Sequence, residues 1–121
     1  MSELLKELCR LYDFISDLFK KEKNPGIKKG ILELLVMVSD KIRPISKYKN
    51  LKIENALLPM LIDHIKETEK LINDYNQNNK AYTDLLDHVI NIVNELEALI
   101  IVIKSPNISD KIFDRQSEFV A

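Results

Sequence analysis

The sequence has few of the residues on which small β-rich or disulfide-bonded proteins depend. Its 121 residues include two glycines, four prolines, one cysteine and no tryptophan. So few turn-forming residues argue against a small β-sandwich or β-barrel, in which many short strands are joined by tight turns. The single cysteine, Cys9, excludes a disulfide within the chain and fits a reducing compartment.

Long hydrophobic runs and targeting signals are also lacking. The longest apolar run, residues 98–103, has six residues, whereas roughly 20 are needed to span a bilayer. The N-terminus carries Glu3 and Glu7 where a secretory signal peptide would need a basic start and an unbroken apolar stretch. The sequence therefore predicts a cytoplasmic protein without a transmembrane segment, and it leaves peripheral membrane contact open.

Helical periodicity dominates what is present. Hydrophobic residues make up 45% of the chain and charged residues 31%, which suffices for one domain with a real core and argues against intrinsic disorder. In the first segment, apolar residues recur every three or four positions, which predicts a helix of about five turns. We expect Ser2 to cap this helix and the helix to stop near Lys23. Its apolar stripe comprises Leu4, Leu5, Leu8, Leu11, Tyr12, Ile15, Leu18 and Phe19.

A second helix is predicted to begin at Asn24 and Pro25, because asparagine is a favoured N-cap and proline is favoured at the first helical position. We expect it to end at Arg43, since the residue before a proline, here Pro44, is driven out of the helical region. Its middle is apolar on almost every side, which indicates a central helix or a helix that meets a partner. The residues responsible, beyond the stripe itself, are Leu32, Val36 and Met37.

The third and fourth helices flank a polar loop. The third is predicted from after Asn50 to about Tyr75, with a kink at Pro59 favoured over a second helix start there. The fourth follows Asn79 as its cap, and residues 105–107 end it; a short fifth helix covers residues 109–119. Because short connections favour antiparallel neighbours, the sequence predicts an all-α fold. Its form is an up-down antiparallel four-helix bundle over residues 1–104, with a short C-terminal brace helix within residues 105–121 packed on the same domain.

Charge is divided unevenly along the chain, although the total is only −1. Residues 20–52 carry a net charge of +7 and the remaining residues carry −8. Basic residues near helix ends are often simply solvated, but such clusters also attract anionic lipid or an acidic protein surface. We therefore predict an anion-binding surface. Its ten residues are Lys20, Lys21, Lys23, Lys28, Lys29, Lys41, Arg43, Lys47, Lys49 and Lys52.

No arrangement of residues predicts catalysis, a cofactor or a metal site. His64 and His88 each follow an aspartate, but their surroundings do not match the Glu-x-x-His pattern of di-iron bundles. A turn around Asn78 would place position 64 opposite position 92 and offset His88 by about 6 Å along the helix axis. Both histidines are expected at the edge of an apolar stripe. Cys9 is expected to be a packed thiol at a similar boundary.

Several stretches of the sequence carry a resemblance to a known group of domains. They are the apolar run 31–38 leading to Ile42-Arg43-Pro44, the helical patterns of 57–75 and 84–103, and the pair Ile112-Phe113. Together they resemble the N-terminal helical bundles of mixed-lineage kinase domain-like proteins, fungal HeLo proteins and certain plant immune receptors. The resemblance implies a bundle that self-assembles and disrupts membranes, with the lysines of residues 20–29 and 41–52 facing acidic lipid. No kinase or nucleotide-binding region follows in this sequence, which departs from that pattern.

These features predict a non-enzymatic helical-bundle module for protein–protein interaction or self-assembly, which could engage acidic membrane surfaces as immune and cell-death bundles do. A helical toxin–antitoxin or nuclease-related protein is the alternative, and His64 or His88 would then be needed for activity. A small helical subunit of a nucleoprotein complex is a third hypothesis. Nucleic acid is the less favoured partner, because the total charge is near neutral and few aromatic residues accompany the basic residues.

Overall fold

A computed structural model describes residues 1–51, 57–78 and 82–104 of the chain. These residues form four α-helices and contain no strand: α1 (Ser2–Lys21), α2 (Pro25–Lys47), α3 (Leu57–Asn78) and α4 (Tyr82–Lys104). The predicted all-α four-helix bundle is therefore confirmed. The brace helix predicted within residues 105–121, the Asn79 cap and Lys52 lie outside the described residues.

Each helix packs against two others around a common core. α1 lies beside α2 and α3, and α4 lies beside the same two helices, so α2 and α3 sit diagonally across the described bundle. Tyr75 near the end of α3 bonds Glu22 just after α1, and Lys41 late in α2 pairs with Glu97 late in α4. Those contacts make α1 parallel to α3 and α2 parallel to α4. The helices alternate in direction along the chain, but α2 and α3 are not neighbours in space.

The core is built from the apolar stripe of every helix. On α1 the buried positions repeat every three or four residues, as the sequence predicts. Burying each large aliphatic side chain contributes roughly 1.5–3 kcal/mol, so these stripes are the main driving force for packing. The largest fully buried side chains are Leu4, Leu8, Leu11, Ile15, Leu18, Ile31, Leu34, Ile45, Leu61, Ile65, Ile72 and Leu85.

The start of α2 follows the predicted capping pattern. Oδ1 of Asn24 accepts hydrogen bonds from the backbone N–H groups of Gly26 and Ile27, at 2.9 and 3.2 Å. Pro25 is the first helical residue, where its missing N–H leaves no hydrogen bond unmade. The cap thus satisfies two of the free N–H groups of the first turn and fixes where α2 begins.

α1 differs from its predicted bounds at both ends. The prediction of Ser2 as N-cap is wrong by one residue, because Ser2 is itself helical and Met1 is the cap. The Met1 carbonyl accepts the N–H of Leu5 at 3.0 Å, and Met1 packs half-buried against the core. The helix ends at Lys21, slightly before the predicted Lys23, because Glu22 adopts an extended backbone.

The predicted end of α2 at Arg43 is wrong, because the helix continues through Pro44 to Lys47. A proline inside a helix costs about 3 kcal/mol, since it removes one hydrogen bond and crowds the preceding turn. Here it falls in the last turn. Two gains oppose that cost: Ile45 becomes fully buried, and the Ser46 hydroxyl donates a 2.7 Å hydrogen bond to the Arg43 carbonyl.

The start of α3 also differs from the prediction. The described helix begins at Leu57 and Leu51 is not helical, whereas residues 52–56 lie outside the description. Pro59 is the third residue of the described helix, and the predicted kink stays a prediction, because the residues before Leu57 lie outside the description. Leu61 follows as the first fully buried residue of the helix.

Candidate functional site

Five lysines of the predicted anion-binding surface gather around the turn between α1 and α2. Four of them are exposed, and none of these four forms a salt bridge within the part of the chain that the structure describes. The fifth, Lys28, is half-buried, with its Nζ 4.7 Å from the centre of the Phe19 ring. We call this group the turn cluster. It consists of Lys20, Lys21, Lys23, Lys28 and Lys29.

Glu22 is the one acidic residue in residues 20–29, and its carboxylate is already engaged. Oε1 accepts hydrogen bonds from the backbone N–H groups of Lys23 and Asn24, at 3.2 and 3.1 Å. Oε2 accepts the hydroxyl of Tyr75 at 2.6 Å. These bonds lower the pKa of Glu22, and the bond from Tyr75 is the largest cause. The carboxylate therefore fixes the turn instead of pairing with a lysine side chain.

The other basic residues of the predicted surface lie towards the far end of α2. Lys41 is half-buried, and its Nζ lies 4.0 Å from Oε1 of Glu97. Arg43, Lys47 and Lys49 are exposed. At 1.5 Å per residue, this second group starts roughly 18 Å along the helix from the turn cluster. The described residues of the predicted surface thus lie in two groups towards opposite ends of α2, and as binding sites both groups stay predictions.

A polar cleft lies between α3 and α4. His64 and His88 both line this cleft of about 340 Å³. Nδ1 of His64 lies 3.0 Å from Oε2 of Glu95. Position 64 therefore faces Glu95 rather than the predicted position 92, because the two helices are shifted by about one turn relative to a bend at Asn78. This register places His88 seven residues, roughly 10 Å along the helix axis, from the position opposite His64, so the offset between the two histidines is larger than the predicted 6 Å.

The chemistry of this cleft is that of a polar contact between helices. The hydrogen bond with Glu95 raises the pKa of His64 above its usual value, and burial only partly opposes this. The nearby hydroxyl of Thr68 donates to the His64 carbonyl at 2.8 Å, so it is not poised as a nucleophile. Among the described residues, no three His, Cys, Asp or Glu side chains are placed to hold a metal ion. The imidazole and carboxylate link α3 to α4.

Cys9 is exposed, and the prediction of a packed thiol is wrong. The neighbouring position, Leu8, is fully buried, and the next residue along a helix is rotated by about 100°. That rotation carries Cys9 out of the apolar stripe. His88 cannot activate the thiol, because it belongs to α4, which lies diagonally across the described bundle from α1.

A buried pair of carboxylates between α1 and α3 has no counterpart in the sequence predictions. Glu69 is only 8% exposed, and its Oε2 lies 3.6 Å from Nε of Arg10. Its Oε1 and the Oε2 of Glu7 are both buried without a hydrogen-bond partner in the described structure. Burial raises the pKa of Glu69; Arg10 opposes this and Glu7 adds to it. The signal in the sequence was the position of Glu69 between Ile65 and Ile72 of the buried stripe.

An apolar face of α2 remains open to solvent. Leu32 is 46% exposed and Val36 is 53% exposed, with Met37 beside them. Leu32 and Val36 are four residues apart and so are neighbours on one face of the helix. The sequence predicted that a helix apolar on almost every side is either central or meets a partner. In the described bundle α2 is not central, because it packs only against α1 and α4.

Comparison with protein-family models, with curated proteins and with solved structures found no match to this chain. The resemblance to HeLo-type bundles therefore stays a prediction from the hydrophobic pattern. Within the described residues, none of the helices has the length and hydrophobicity that crossing a bilayer requires.

Proposed function

We propose that this protein is a non-catalytic helical-bundle module that acts by binding another protein molecule, either a partner or a copy of itself. The observation that carries the proposal is the pair of exposed aliphatic side chains Leu32 and Val36 on α2. Scattered single apolar residues are normal on protein surfaces, whereas adjacent ones on a helix face are typical of contact sites.

The packing of the bundle supports this interpretation. α2 already contributes Ile31, Leu34 and Val38 to the core, so the bundle has its apolar stripe from this helix without Leu32 or Val36. Because each of these two side chains is about half-exposed, its removal from water by contact with a partner would contribute roughly 1 kcal/mol. A second protein surface is the simplest source of that burial.

The polar groups of the cleft favour a non-catalytic role. Nδ1 of His64 is engaged with Glu95, and the Thr68 hydroxyl is engaged with a backbone carbonyl. A general base and a nucleophile must reach each other and a substrate atom within about 3 Å. These side chains are instead used in contacts between and within helices.

Photo-crosslinking tests the proposed function. A photoreactive phenylalanine analogue at Val36 should give a covalent adduct of discrete mass in cells that express the chain. The same analogue at Asp17, an exposed position on α1, is the matched control and should give none. An adduct from Val36 alone supports the proposal. Equal labelling from both positions, or from neither, contradicts it.

The turn cluster supports a second proposal, that one end of the bundle engages an acidic membrane surface. Its four exposed lysines are free of salt bridges within the described residues, and each basic residue near such a surface contributes about 1 kcal/mol. This is also the behaviour that the resemblance to immune and cell-death bundles implies.

Vesicle flotation tests the membrane proposal. The protein should float with vesicles containing phosphatidylserine in low salt and should not float with phosphatidylcholine alone. Replacing the exposed lysines of the turn cluster (Lys20, Lys21, Lys23 and Lys29) by glutamine should abolish flotation. The control variant replaces four exposed lysines elsewhere, at Lys6, Lys66, Lys70 and Lys104. No flotation of the wild-type chain, or equal loss in both variants, contradicts the membrane proposal.

A further inference from the structure

We propose that a second copy of this chain docks on the exposed face of α2, with the two α2 helices antiparallel across a two-fold axis near residues 34 and 35. This inference rests on the proposed function and names the partner. It follows from the order of four exposed side chains along the helix.

These four side chains form a single stripe on the solvent side of α2. Lys29, Leu32, Val36 and Asp40 are all exposed, and their spacings of three and four residues keep them within about 80° of arc on the helix surface. Along the helix, the stripe therefore begins with a basic residue, continues with two aliphatic residues and ends with an acidic residue. We call these four residues the α2 stripe.

An antiparallel pairing of two such stripes is complementary to itself. With the axis near residues 34 and 35, Lys29 of one copy lies beside Asp40 of the other, and Leu32 lies beside Val36. Because the arrangement is two-fold symmetric, each contact is made twice. The charged pairs flank an apolar centre, which is the general layout of protein interfaces.

The same charge order disfavours the parallel arrangement. Two parallel α2 helices in register would place Lys29 beside Lys29 and Asp40 beside Asp40, and like charges side by side are repulsive. The stripe thus selects both the partner and its direction. Attachment of an unrelated helix would require that helix to supply the matching base and acid at the same spacing.

Three further charged residues lie near the α2 stripe without forming part of the pairing. Arg43 and Lys47 continue the stripe by one and two turns, and Arg43 would lie about one turn from Lys29 of the second copy, so this like-charge contact opposes part of the attraction. Glu33 lies at the border of the stripe, towards solvent. A contact along one helix buries less than the roughly 1,200 Å² of a standard interface, so we expect a weak, reversible dimer.

Sedimentation equilibrium of charge-reversal variants tests this inference. The wild-type chain should show a reversible monomer–dimer equilibrium. Lys29→Glu alone and Asp40→Lys alone should each weaken the dimer by about tenfold, because two attractive pairs become repulsive. An equal mixture of the two variants should recover near-wild-type association, since the heterodimer restores both opposite-charge pairs.

Two control variants and two contrary results complete this test. Asp17→Lys and Lys70→Glu reverse exposed charges on α1 and α3 and should leave the dimer unchanged, and circular dichroism confirms that every variant is helical. A wild-type chain that stays monomeric overturns the inference, as does a mixture that associates no better than the single variants. If a monomeric chain still gives a Val36 adduct with a different protein, the second-copy inference fails and the proposed function stands.

Discussion

The hydroxyl of Tyr75 donates a 2.6 Å hydrogen bond to Oε2 of Glu22, and this bond ties the end of α3 to the turn between α1 and α2. Tyr75 is buried, and burial together with the bond to Glu22 raises the pKa of Tyr75 to about 12. The same carboxylate accepts two backbone N–H groups of the turn. One acid therefore organises the end of the bundle at which the turn cluster lies.

Tyr75→Phe should lower the free energy of unfolding by about 1–2 kcal/mol, because it removes a hydrogen bond to a charged acceptor and leaves the ring packed. Urea denaturation measures the loss. In a double-mutant cycle, Glu22→Gln and Tyr75→Phe should be less than additive, since both remove the same charged bond. Strict additivity would show that the two side chains do not interact.

The contribution of Glu22 should depend on pH with a defined sign. Its pKa is lowered from the usual 4.5 in the folded state, so the folded chain binds this proton less tightly than the unfolded chain. The stabilisation is present above about pH 4.5 and is lost as pH falls through the lowered folded pKa. Tyr75→Phe should reduce this acid dependence, which denaturation at a series of pH values between 3 and 6 would show. An unchanged dependence would contradict the assignment.

Glu69→Gln should raise the free energy of unfolding at pH 7 by about 1 kcal/mol, because it removes a buried charge next to Glu7 and adds an N–H donor. The pKa of Glu69 is raised from the usual 4.5 in the folded state. The contribution of protonated Glu69 to the free energy of unfolding is therefore complete below about pH 4.5. It is lost as pH rises through the raised pKa of Glu69 in the folded state. Urea denaturation at pH 4.5 and pH 7.5 should show a smaller difference for Glu69→Gln than for wild type. Asp74→Asn, at an exposed position on α3, is the control and should leave this pH dependence unchanged.

The contact between His64 and Glu95 should make the link between α3 and α4 stronger in acid. Because Glu95 raises the pKa of His64, the stabilisation is complete below the usual value of 6.5 and is lost as pH rises through the raised folded pKa. An NMR titration of the His64 ring should give a midpoint above 6.5, and Glu95→Gln should lower it. Glu97→Gln, at an exposed position nearby on α4, should have no such effect. A midpoint that Glu95→Gln leaves in place would contradict the contact.

Gly30→Ala should lower the free energy of unfolding by about 1 kcal/mol, because the overpacking cost of about 1–3 kcal/mol exceeds the roughly 1 kcal/mol that alanine gains over glycine inside a helix. A Cβ atom at Gly30 would overlap the hydroxyl of Tyr82. The matched control is Gly26→Ala, where the added Cβ would make only an ordinary 3.4 Å contact with Oδ1 of Asn24. Thermal unfolding measures both variants. If Tyr82→Leu does not relieve the defect of Gly30→Ala, the overlap is not its cause.

The parts of the fold that local chemistry controls were predictable from the sequence. The apolar stripe of α1 and the Asn24-Pro25 start of α2 were confirmed, because period and capping act within a few residues. The predicted end of α2 at Arg43 was wrong because Pro44 lies in the last turn of the helix, where it removes one hydrogen bond and few residues follow it. Burial of Ile45 then favours a longer α2, and burial is a tertiary property that no local rule supplies.

The candidate sites were less predictable, because they depend on which helices become neighbours. Short connections suggested adjacent consecutive helices, but α2 and α3 are diagonal in the described bundle. The contact of His64 with Glu95 depends on the register between α3 and α4, which the sequence placed about one turn away. The exposed side of α2 was foreseen only as an unusual apolar excess around Leu32 and Val36. Only the assembled bundle shows that none of the described helices packs against this side of α2.

A photo-crosslinking scan along residues 28–43 tests most directly the claim that the solvent face of α2 binds another protein molecule. Each exposed position in turn would carry the photoreactive analogue, with Asp13 and Asp17 on α1 as controls. Adduct yield should peak at Lys29, Leu32, Val36, Asp40 and Arg43 and fall at exposed positions away from this face. Yields without this three-to-four-residue period, or no higher than those from α1, would contradict the claim.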